Sequence, residues 1–186
     1  MKNVKKLSIS EKEIFVFDDF LDSQELAEFN ELLAGGAFRR NETDSSETQH
    51  IRQWVRHFEI DSLIEVEFFQ RIIIKISNCF PSDADQVPYR AYCNNILYGD
   101  MLFAHRDNDI SMPDITALLY INKKWETDWG GETVFFDENN DAMYAVSPRP
   151  GRLVLFKGGL LHRAGAPQRE CYESRLTFAI KFGTKK

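Results

Sequence analysis

The sequence predicts an α+β protein that is mainly β, with helices in its N-terminal part and a run of strands after them. From residue 89 onward, short runs of β-branched and aromatic residues recur, and Gly, Asn, Asp and Pro separate them. The features of helices, in contrast, are confined to the first 85 residues. A series of strands that follows helices in this way is expected to close into a sandwich or a barrel.

Two stretches of the N-terminal part have the features of helices, and a short strand, EIFVFDDF, precedes them. The first stretch, DSQELAEFNELLAGG, has a capping residue in Asp22, a partner for it in Glu25, and a glycine pair at Gly35 and Gly36 where the helix ends. The second, DSLIEVEFFQRIIIKISNCFP, is apolar around most of its circumference and stops at Pro81. This pattern is typical of a helix packed on a sheet.

A polar stretch without periodicity, AFRRNETDSSETQH, separates the two predicted helices. We expect a long exposed loop there, which in a compact domain is either a lid or a disordered segment. A lid extending over residues 37–54 would fold over bound substrate and exclude water from the site.

Length, charge and cysteine content limit the class of protein. The 186 residues fit a single domain, 1–186, in which about 1–85 form a helical support and about 86–183 a β core. A net charge of -6 argues against nucleic acid as a partner. The sequence shows no signal peptide or membrane span. We therefore expect a cytoplasmic location. The three cysteines lack CxxC spacing and are expected to be reduced thiols.

A candidate metal site lies in the β region. In HRDND, His105 and Asp107 are two positions apart, so on a strand both side chains would face the same way. By itself HxD is a weak signal, because such spacings arise by chance. In GRLVLFKGGLLHRAG, His162 follows an apolar strand and a glycine pair that would let the chain turn and return this side chain to the site. Two imidazoles and one carboxylate form a facial triad that suits non-haem Fe(II), although zinc accepts the same donors.

The last predicted strand, SRLTFAIKF, is mostly apolar but carries an arginine on the face that would point inward. Its alternation places Leu176, Phe178, Ile180 and Phe182 on one face, and Arg175, Thr177 and Ala179 on the other. A buried guanidinium is costly unless an anion pairs with it. A dicarboxylic or keto-acid cosubstrate that also reaches the metal would supply a bidentate carboxylate. The alternative is a structural ion pair with one of the 29 acidic residues.

Taken together, HRDND, DITALLYINKKWETDWGGETVFF, GRLVLFKGGLLHRAG and SRLTFAIKF closely resemble segments of the Fe(II)/2-oxoglutarate-dependent dioxygenases, in their prolyl 4-hydroxylase-like branch. The resemblance covers residues 89–182, about half of the chain. It implies a double-stranded β-helix, or jelly roll, backed by the N-terminal helices. It also implies that iron binds to His105, Asp107 and His162.

The same resemblance implies how the cosubstrate is held. Arg175 would grip the distal carboxylate of 2-oxoglutarate, and Tyr120 would direct its hydroxyl towards the same group. Tyr98 lies where a further tyrosine often contacts the cosubstrate, and Thr177 shares the inward face with Arg175. The implied cofactors are Fe(II) and 2-oxoglutarate, with ascorbate as a reductant in vitro.

The implied activity is hydroxylation of an unactivated C–H bond of a small polar metabolite or amino acid, with conversion of 2-oxoglutarate and O2 to succinate and CO2. Related halogenases carry a small residue where this chain has Asp107, which favours hydroxylation here; desaturation and epoxidation stay open. Two alternatives remain: a protein (prolyl-type) hydroxylase that acts on a partner chain, and a non-catalytic metal-binding jelly-roll module.

The strand YRAYCNNILYG offers candidate substrate contacts. If Tyr98 faces the cavity, a period of two also turns Arg90, Tyr92, Asn94 and Ile96 inward. Arg90 and Asn94 would then bind a carboxylate or an amide of the substrate, unless the barrel itself satisfies them.

Overall fold

A computed structural model describes residues 4–83 and 85–184 of the chain. It contains helices α1 (Ser23–Ala34) and α2 (Glu67–Cys79), together with short 3₁₀ turns. In chain order, its strands are β1 (Val4–Ile9), β2 (Lys12–Phe17), β3 (Arg39–Glu42), β4 (Gln53–Phe58), β5 (Gln86–Ile96), β6 (Ile115–Tyr120), β7 (Thr133–Phe136), β8 (Ala142–Val146), β9 (Leu153–Lys157), β10 (His162–Ala164) and β11 (Arg175–Thr184).

The strands form two antiparallel sheets. The larger sheet has eight strands in the order β1-β2-β9-β6-β11-β5-β4-β3, and the smaller has three in the order β10-β7-β8. A bridge between His105 and His162 adds the segment around residue 105 to the edge of the smaller sheet. This arrangement of two sheets with two helices is the jelly-roll fold that the sequence resemblance implies.

Two apolar clusters hold the layers together. One joins the helices to the larger sheet and contains Phe29 of α1, Ile72 of α2 and Phe178 of β11. The other lies between the sheets and joins Phe156 of β9 to Phe135 of β7. The larger sheet is therefore covered by helices on one face and by the smaller sheet on the other.

Strand β11 separates these environments in the way its sequence alternation predicts. Phe178, Ile180 and Phe182 are fully buried in the cluster beneath the helices. The intervening side chains face the opposite way and line a cavity. A one-residue change of register would exchange the two sets, so the apolar face fixes where the polar side chains point.

The first helix begins as its sequence predicts. The carboxylate of Asp22 accepts hydrogen bonds from the backbone N–H groups of Gln24 and Glu25, and the Glu25 carboxylate accepts one from the N–H of Asp22. The second helix is shorter than its apolar stretch, because a 3₁₀ turn at Ile60–Ser62 precedes it and Val66 offers no side-chain cap.

The N-terminal part differs from a purely helical support. β1 and β2 extend the larger sheet at one edge, and β3 and β4 extend it at the other. The prediction of a long exposed loop over residues 37–50 is corrected for residues 39–42, which form β3 and pair with β4 as the outermost strand. An edge strand needs only one neighbour and can be polar on both faces, which removes the apolar alternation that would have indicated it.

None of the helices in the described part of the chain has the length and apolar character needed to cross a membrane.

Candidate active site

A cavity of about 320 Å³ opens on the face of the larger sheet that lies opposite the helices. Its walls come from β5, β6, β9, β10 and β11, from one residue each of β4 and β7, from the segment around residues 102–108, and from residues 42–44 at the end of β3. His105, Asp107, His162 and Arg175 all line it. The structure thus brings the predicted metal ligands and the predicted carboxylate-binding arginine into one cavity.

The candidate metal ligands are held together by backbone hydrogen bonds. The His105 N–H donates to the His162 carbonyl at 2.9 Å, and the His162 N–H donates to the His105 carbonyl at 3.0 Å. The Asp107 N–H donates to the carbonyl of Gly158 at 2.9 Å. A β-carbon on the next residue, Gly159, would lie only 2.8 Å from the Cα of Ile110, so a glycine is required where these two segments cross.

Both imidazoles are oriented by the carbonyl two residues before them. Nδ1 of His105 lies 3.0 Å from the Phe103 oxygen, and Nδ1 of His162 lies 2.9 Å from the Leu160 oxygen. A carbonyl can only accept, so in the neutral form of each ring Nδ1 carries the proton and Nε2 keeps a free lone pair. The Nε2 atoms lie 3.7 and 3.8 Å from the oxygens of Asp107.

One donor atom from each of these three residues lies within 4.8 Å of the others. This spacing, the two free Nε2 lone pairs and one ionised carboxylate fit a divalent transition metal. The structure therefore agrees with the predicted triad in geometry and in chemistry.

Asp107 has two further partners that sequence reasoning missed. Its Oδ2 accepts a hydrogen bond from Thr116 Oγ1 at 2.5 Å and forms an ion pair with the ammonium of Lys181. The side chains of Asp107 and Lys181 are 6% and 7% exposed. The sequence does indicate that Lys181 faces inward, because this residue continues the alternation of Arg175, Thr177 and Ala179 along β11.

These contacts set the charges of the site. Burial alone would raise the pKa of Asp107, but Lys181, His162 and His105 hold it well below its ordinary value. Burial also opposes the charged form of Lys181, yet the Asp107 carboxylate raises the pKa of this ammonium above its usual value. Burial lowers the pKa of His162 to about 4, so this imidazole is neutral near pH 7 and can donate its lone pair.

Arg175 is 1% exposed and is held by neutral partners. Its Nε donates to the Gly131 carbonyl at 2.6 Å, and its Nη2 donates to Thr133 Oγ1 at 2.9 Å. Burial lowers the pKa of this guanidinium from its usual value. Within the described residues it is held by these neutral groups rather than by a structural ion pair, so a buried cation faces the cavity.

A chain of hydrogen bonds supports this guanidinium. The Tyr120 hydroxyl donates to the Val146 carbonyl at 3.1 Å and shares a 2.7 Å hydrogen bond with Thr133 Oγ1. Since the single tyrosine proton goes to Val146, the Thr133 hydroxyl is the donor to Tyr120 and its oxygen accepts from Arg175. Tyr120 is 1% exposed and influences the cavity only by holding the Thr133 hydroxyl in place. Thr177 lines the cavity directly, and its hydroxyl accepts a hydrogen bond from Asn94 Nδ2 at 3.4 Å.

The predicted inward orientation of Tyr98 is corrected. This side chain is 61% exposed, beyond the end of β5, and lies outside the set of described residues that line the cavity. Ile96, which was also predicted to face inward, is the last inward residue of β5; it is buried and pairs in the sheet with Arg175. The strand ends two residues before Tyr98, and the period of two ends with it.

The three predicted substrate contacts all line the cavity. Arg90 forms an ion pair with Glu42, the last residue of β3, and its guanidinium lies 4.5 Å from the centre of the Tyr92 ring. Asn94 lies deeper in the sheet, beside Thr177. The mouth of the cavity therefore carries a positive and a negative side chain next to each other.

Asp44 connects the β3–β4 hairpin to the metal-ligand segment, and sequence reasoning missed it as well. Its Oδ2 accepts from the Phe103 N–H at 2.8 Å, and its Oδ1 lies 3.7 Å from Nδ1 of His105. Burial raises the pKa of Asp44. The sequence does not indicate this contact, because Asp44 lies in the loop between β3 and β4, 59 residues before Phe103.

Comparison with known proteins agrees with this geometry. Residues 92–182 match the model of the 2OG-Fe(II) oxygenase superfamily. This matched segment belongs to the 2OG-Fe(II) oxygenase superfamily, whose members are oxidoreductases. Enzymes of this superfamily use Fe(II) and 2-oxoglutarate. No curated protein sequence matches the chain.

Several solved structures share the fold. A prolyl-4-hydroxylase from Pseudomonas putida is 18% identical over 93% of each chain, with a TM-score of 0.66. A prolyl hydroxylase from Trichoplax adhaerens, solved with a hypoxia inducible factor peptide, is 17% identical over 91% of this chain and 83% of its own, with a TM-score of 0.68. The epimerase SnoN from nogalamycin biosynthesis is 14% identical over 92% and 77%, with a TM-score of 0.64. The oxygenase has the jelly-roll fold of these proteins.

Proposed function

We propose that the oxygenase binds Fe(II) through Nε2 of His105, Nε2 of His162 and a carboxylate oxygen of Asp107, and that it hydroxylates an unactivated C–H bond of a small polar metabolite or amino acid. The observation that carries this proposal is the shared cavity, in which a two-histidine, one-carboxylate set lies with a buried guanidinium held by neutral groups. We further propose that residues 1–186 form a single oxygenase domain. The cytoplasmic location stays a prediction, supported by three free cysteines.

Arg175 holds the distal carboxylate of 2-oxoglutarate in this proposal. Its Nε and Nη2 are engaged by Gly131 and Thr133, which fixes the plane of the guanidinium before the cosubstrate arrives. A β-carbon at residue 131 would lie 3.1 Å from Cδ of Arg175, so glycine permits this close approach. Thr177 offers a hydroxyl on the same face, and Tyr120 fixes Thr133.

When bound, iron and 2-oxoglutarate supply with O2 the oxidising power for the C–H bond, and 2-oxoglutarate becomes succinate and CO2. The protein contributes positioning. The carbonyls of Phe103 and Leu160 fix both imidazoles, and Thr116 with Lys181 fixes the carboxylate. Burial of His162 and Asp107 keeps water away from two of the three ligands.

The cavity favours a small charged substrate. Its volume of about 320 Å³ is at the lower end of the range for small-molecule sites. The adjacent Arg90 and Glu42 side chains match the carboxylate and the ammonium of a zwitterion such as a free amino acid.

A second candidate is hydroxylation of a peptidyl residue in a partner chain. The specific observation is a set of exposed apolar side chains between the end of β5 and the cavity-lining Leu102, namely Leu97, Tyr98 and Met101. The Trichoplax relative was solved with a peptide fragment.

Succinate formation separates these proposals. The enzyme is incubated with Fe(II), 2-oxoglutarate and ascorbate in the presence of either free amino acids or proline-containing peptides, and mass spectrometry follows the addition of one oxygen. We expect succinate to rise with an amino acid and not with peptides. Hydroxylated peptide would favour the second candidate, and no succinate with either panel would contradict the proposed activity.

A further inference from the structure

Lys181 is a buried cation beside the candidate metal ligands. Its ammonium pairs with Oδ2 of Asp107, lies 3.3 Å from Thr116 Oγ1, and lies 5.8 Å from the centre of the Tyr92 ring. Strand β11 is held between β5 and β6 on both sides, so the backbone of Lys181 is fixed. A divalent cation bound at the triad would have this ammonium as a neighbour.

The two oxygens of Asp107 are unequal. Oδ2 is engaged by Thr116 and Lys181 and lies 3.8 Å from Nε2 of His162, whereas Oδ1 has neither of these two partners and lies 3.7 Å from Nε2 of His105. We propose that Lys181, together with Thr116, restricts Asp107 to a single metal-binding oxygen, so that metal affinity is lower and affinity for 2-oxoglutarate is higher. This inference rests on the proposed metal site.

The two effects have opposite signs for a physical reason. Like charges a few ångströms apart in a buried site repel strongly, so the ammonium opposes the binding of a metal dication. The same positive charge attracts the dianionic cosubstrate. An aspartate that cannot offer a second oxygen also leaves a coordination position open for the cosubstrate.

Replacement of Lys181 tests this inference because a structural role would change both affinities in the same direction. In Lys181→Met the apolar stem is kept and the charge is lost. We expect Co(II), an air-stable probe, to bind at least about tenfold more tightly by calorimetry, since each tenfold corresponds to about 1.4 kcal/mol. We expect 2-oxoglutarate to bind the Co(II)-loaded variant several-fold more weakly than the loaded wild type. Lys181→Arg keeps the charge and should retain both wild-type affinities.

Arg152→Met is the matched control, because the side chain of Arg152 is also buried, at 10% exposed against 7% for Lys181, and pairs with one aspartate, Asp18. It should leave both affinities unchanged. If Lys181→Met does not fold, Lys181→Gln provides the same comparison with a polar side chain.

The outcomes separate this inference from the proposed function. Wild-type protein that binds no Co(II) would remove the metal site and the inference with it. If wild type binds Co(II) but the neutral variants bind it equally or more weakly, or retain full affinity for 2-oxoglutarate, the role of Lys181 alone is overturned.

Discussion

Arg175 and Lys181 lie on the same face of β11 and line the same cavity, six residues apart, which on a strand is roughly 20 Å along the backbone. Arg175 is held by neutral groups, whereas Lys181 is paired with Asp107. One strand therefore supplies a cation that is open to an anionic ligand and a second cation that already pairs with a carboxylate. This difference in pairing predicts that the two residues respond differently to substitution.

Arg175→Lys should weaken the binding of 2-oxoglutarate while leaving the binding of Co(II) nearly unchanged. Lysine keeps the charge but loses the planar fork, so a bidentate carboxylate loses one charge-assisted hydrogen bond. Such a loss costs on the order of 1.5 to 3 kcal/mol, or roughly ten- to more than a hundredfold in affinity. Separate titrations with Co(II) and with 2-oxoglutarate measure the two effects.

Arg152→Lys is the control for this substitution, since Arg152 is buried but pairs with Asp18. It should retain wild-type affinity for 2-oxoglutarate. Weakened metal binding with unchanged cosubstrate binding in Arg175→Lys would mean that Arg175 is a structural part of the barrel.

Asp107→Ala should abolish hydroxylation and also destabilise the fold, because it leaves the Lys181 ammonium buried and unpaired. Breaking one half of a buried pair costs roughly 3–5 kcal/mol. The double variant Asp107→Ala/Lys181→Met removes both charges and should recover most of that stability without recovering metal binding. Urea denaturation of the wild type, the single variants and the double variant completes the cycle.

Additive effects in this cycle would contradict a direct interaction between the two side chains. Hydroxylation at the wild-type level in Asp107→Ala would remove Asp107 from the metal site.

The sequence predicted those parts of the site whose signals are local. His105 and Asp107 are two residues apart, and Arg175 is marked by a clear alternation of apolar residues. The same alternation would have identified Lys181, yet a lysine near the end of an apolar strand is usually a surface residue. Thr116 and Asp44 could not have been found in this way, because their partners, Asp107 and Phe103, lie in the segment between β5 and β6, which has no regular alternation.

The fold was predictable to a similar extent. Strands β6, β9 and β11 lie inside the larger sheet, where an apolar sequence is required. Their sequences therefore indicate strands clearly. Strand β3 has the sequence RRNE and lies at the sheet edge, where pairing with β4 rather than burial forms it. Tyr98 was misplaced because nothing in NNILYG marks Ile96 as the last strand residue.

Asp44→Ala should free the segment between β3 and β4. The Asp44 carboxylate accepts a charge-assisted hydrogen bond from the Phe103 N–H, and this contact fastens the hairpin over the cavity. Loss of such a bond raises the population of the open segment by roughly tenfold or more. Amide hydrogen exchange in residues 43–52 should accelerate accordingly, whereas Glu47→Ala, an exposed position in the same segment, should leave exchange unchanged.

The lid prediction for residues 37–54 also requires that ligands order the loop at its centre, residues 43–52. In wild type, exchange in residues 43–52 should slow when Co(II), 2-oxoglutarate and the amino acid that supports succinate formation are all present. Equal exchange rates with and without these ligands would mean that the hairpin is a fixed wall of the cavity.

His162 should make the metal-free protein sensitive to acid. Burial lowers the pKa of this imidazole to about 4 in the folded state, against about 6.5 in an unfolded chain. Because the folded pKa is the lower one, protonation favours the unfolded state, and the stability that His162 contributes is complete above pH 6.5 and is lost as the pH falls towards 4. This difference corresponds to about 3 kcal/mol.

Urea denaturation at several pH values, with a chelator present, should show a shallower loss of stability between pH 6.5 and 4 in His162→Gln than in wild type. His57 is the matched control, because its side chain is 46% exposed on β4, and His57→Gln should follow the wild-type profile. Identical profiles for wild type and His162→Gln would mean that the folded protein accommodates a protonated His162, and that the neutral, lone-pair-donating form is not enforced by burial.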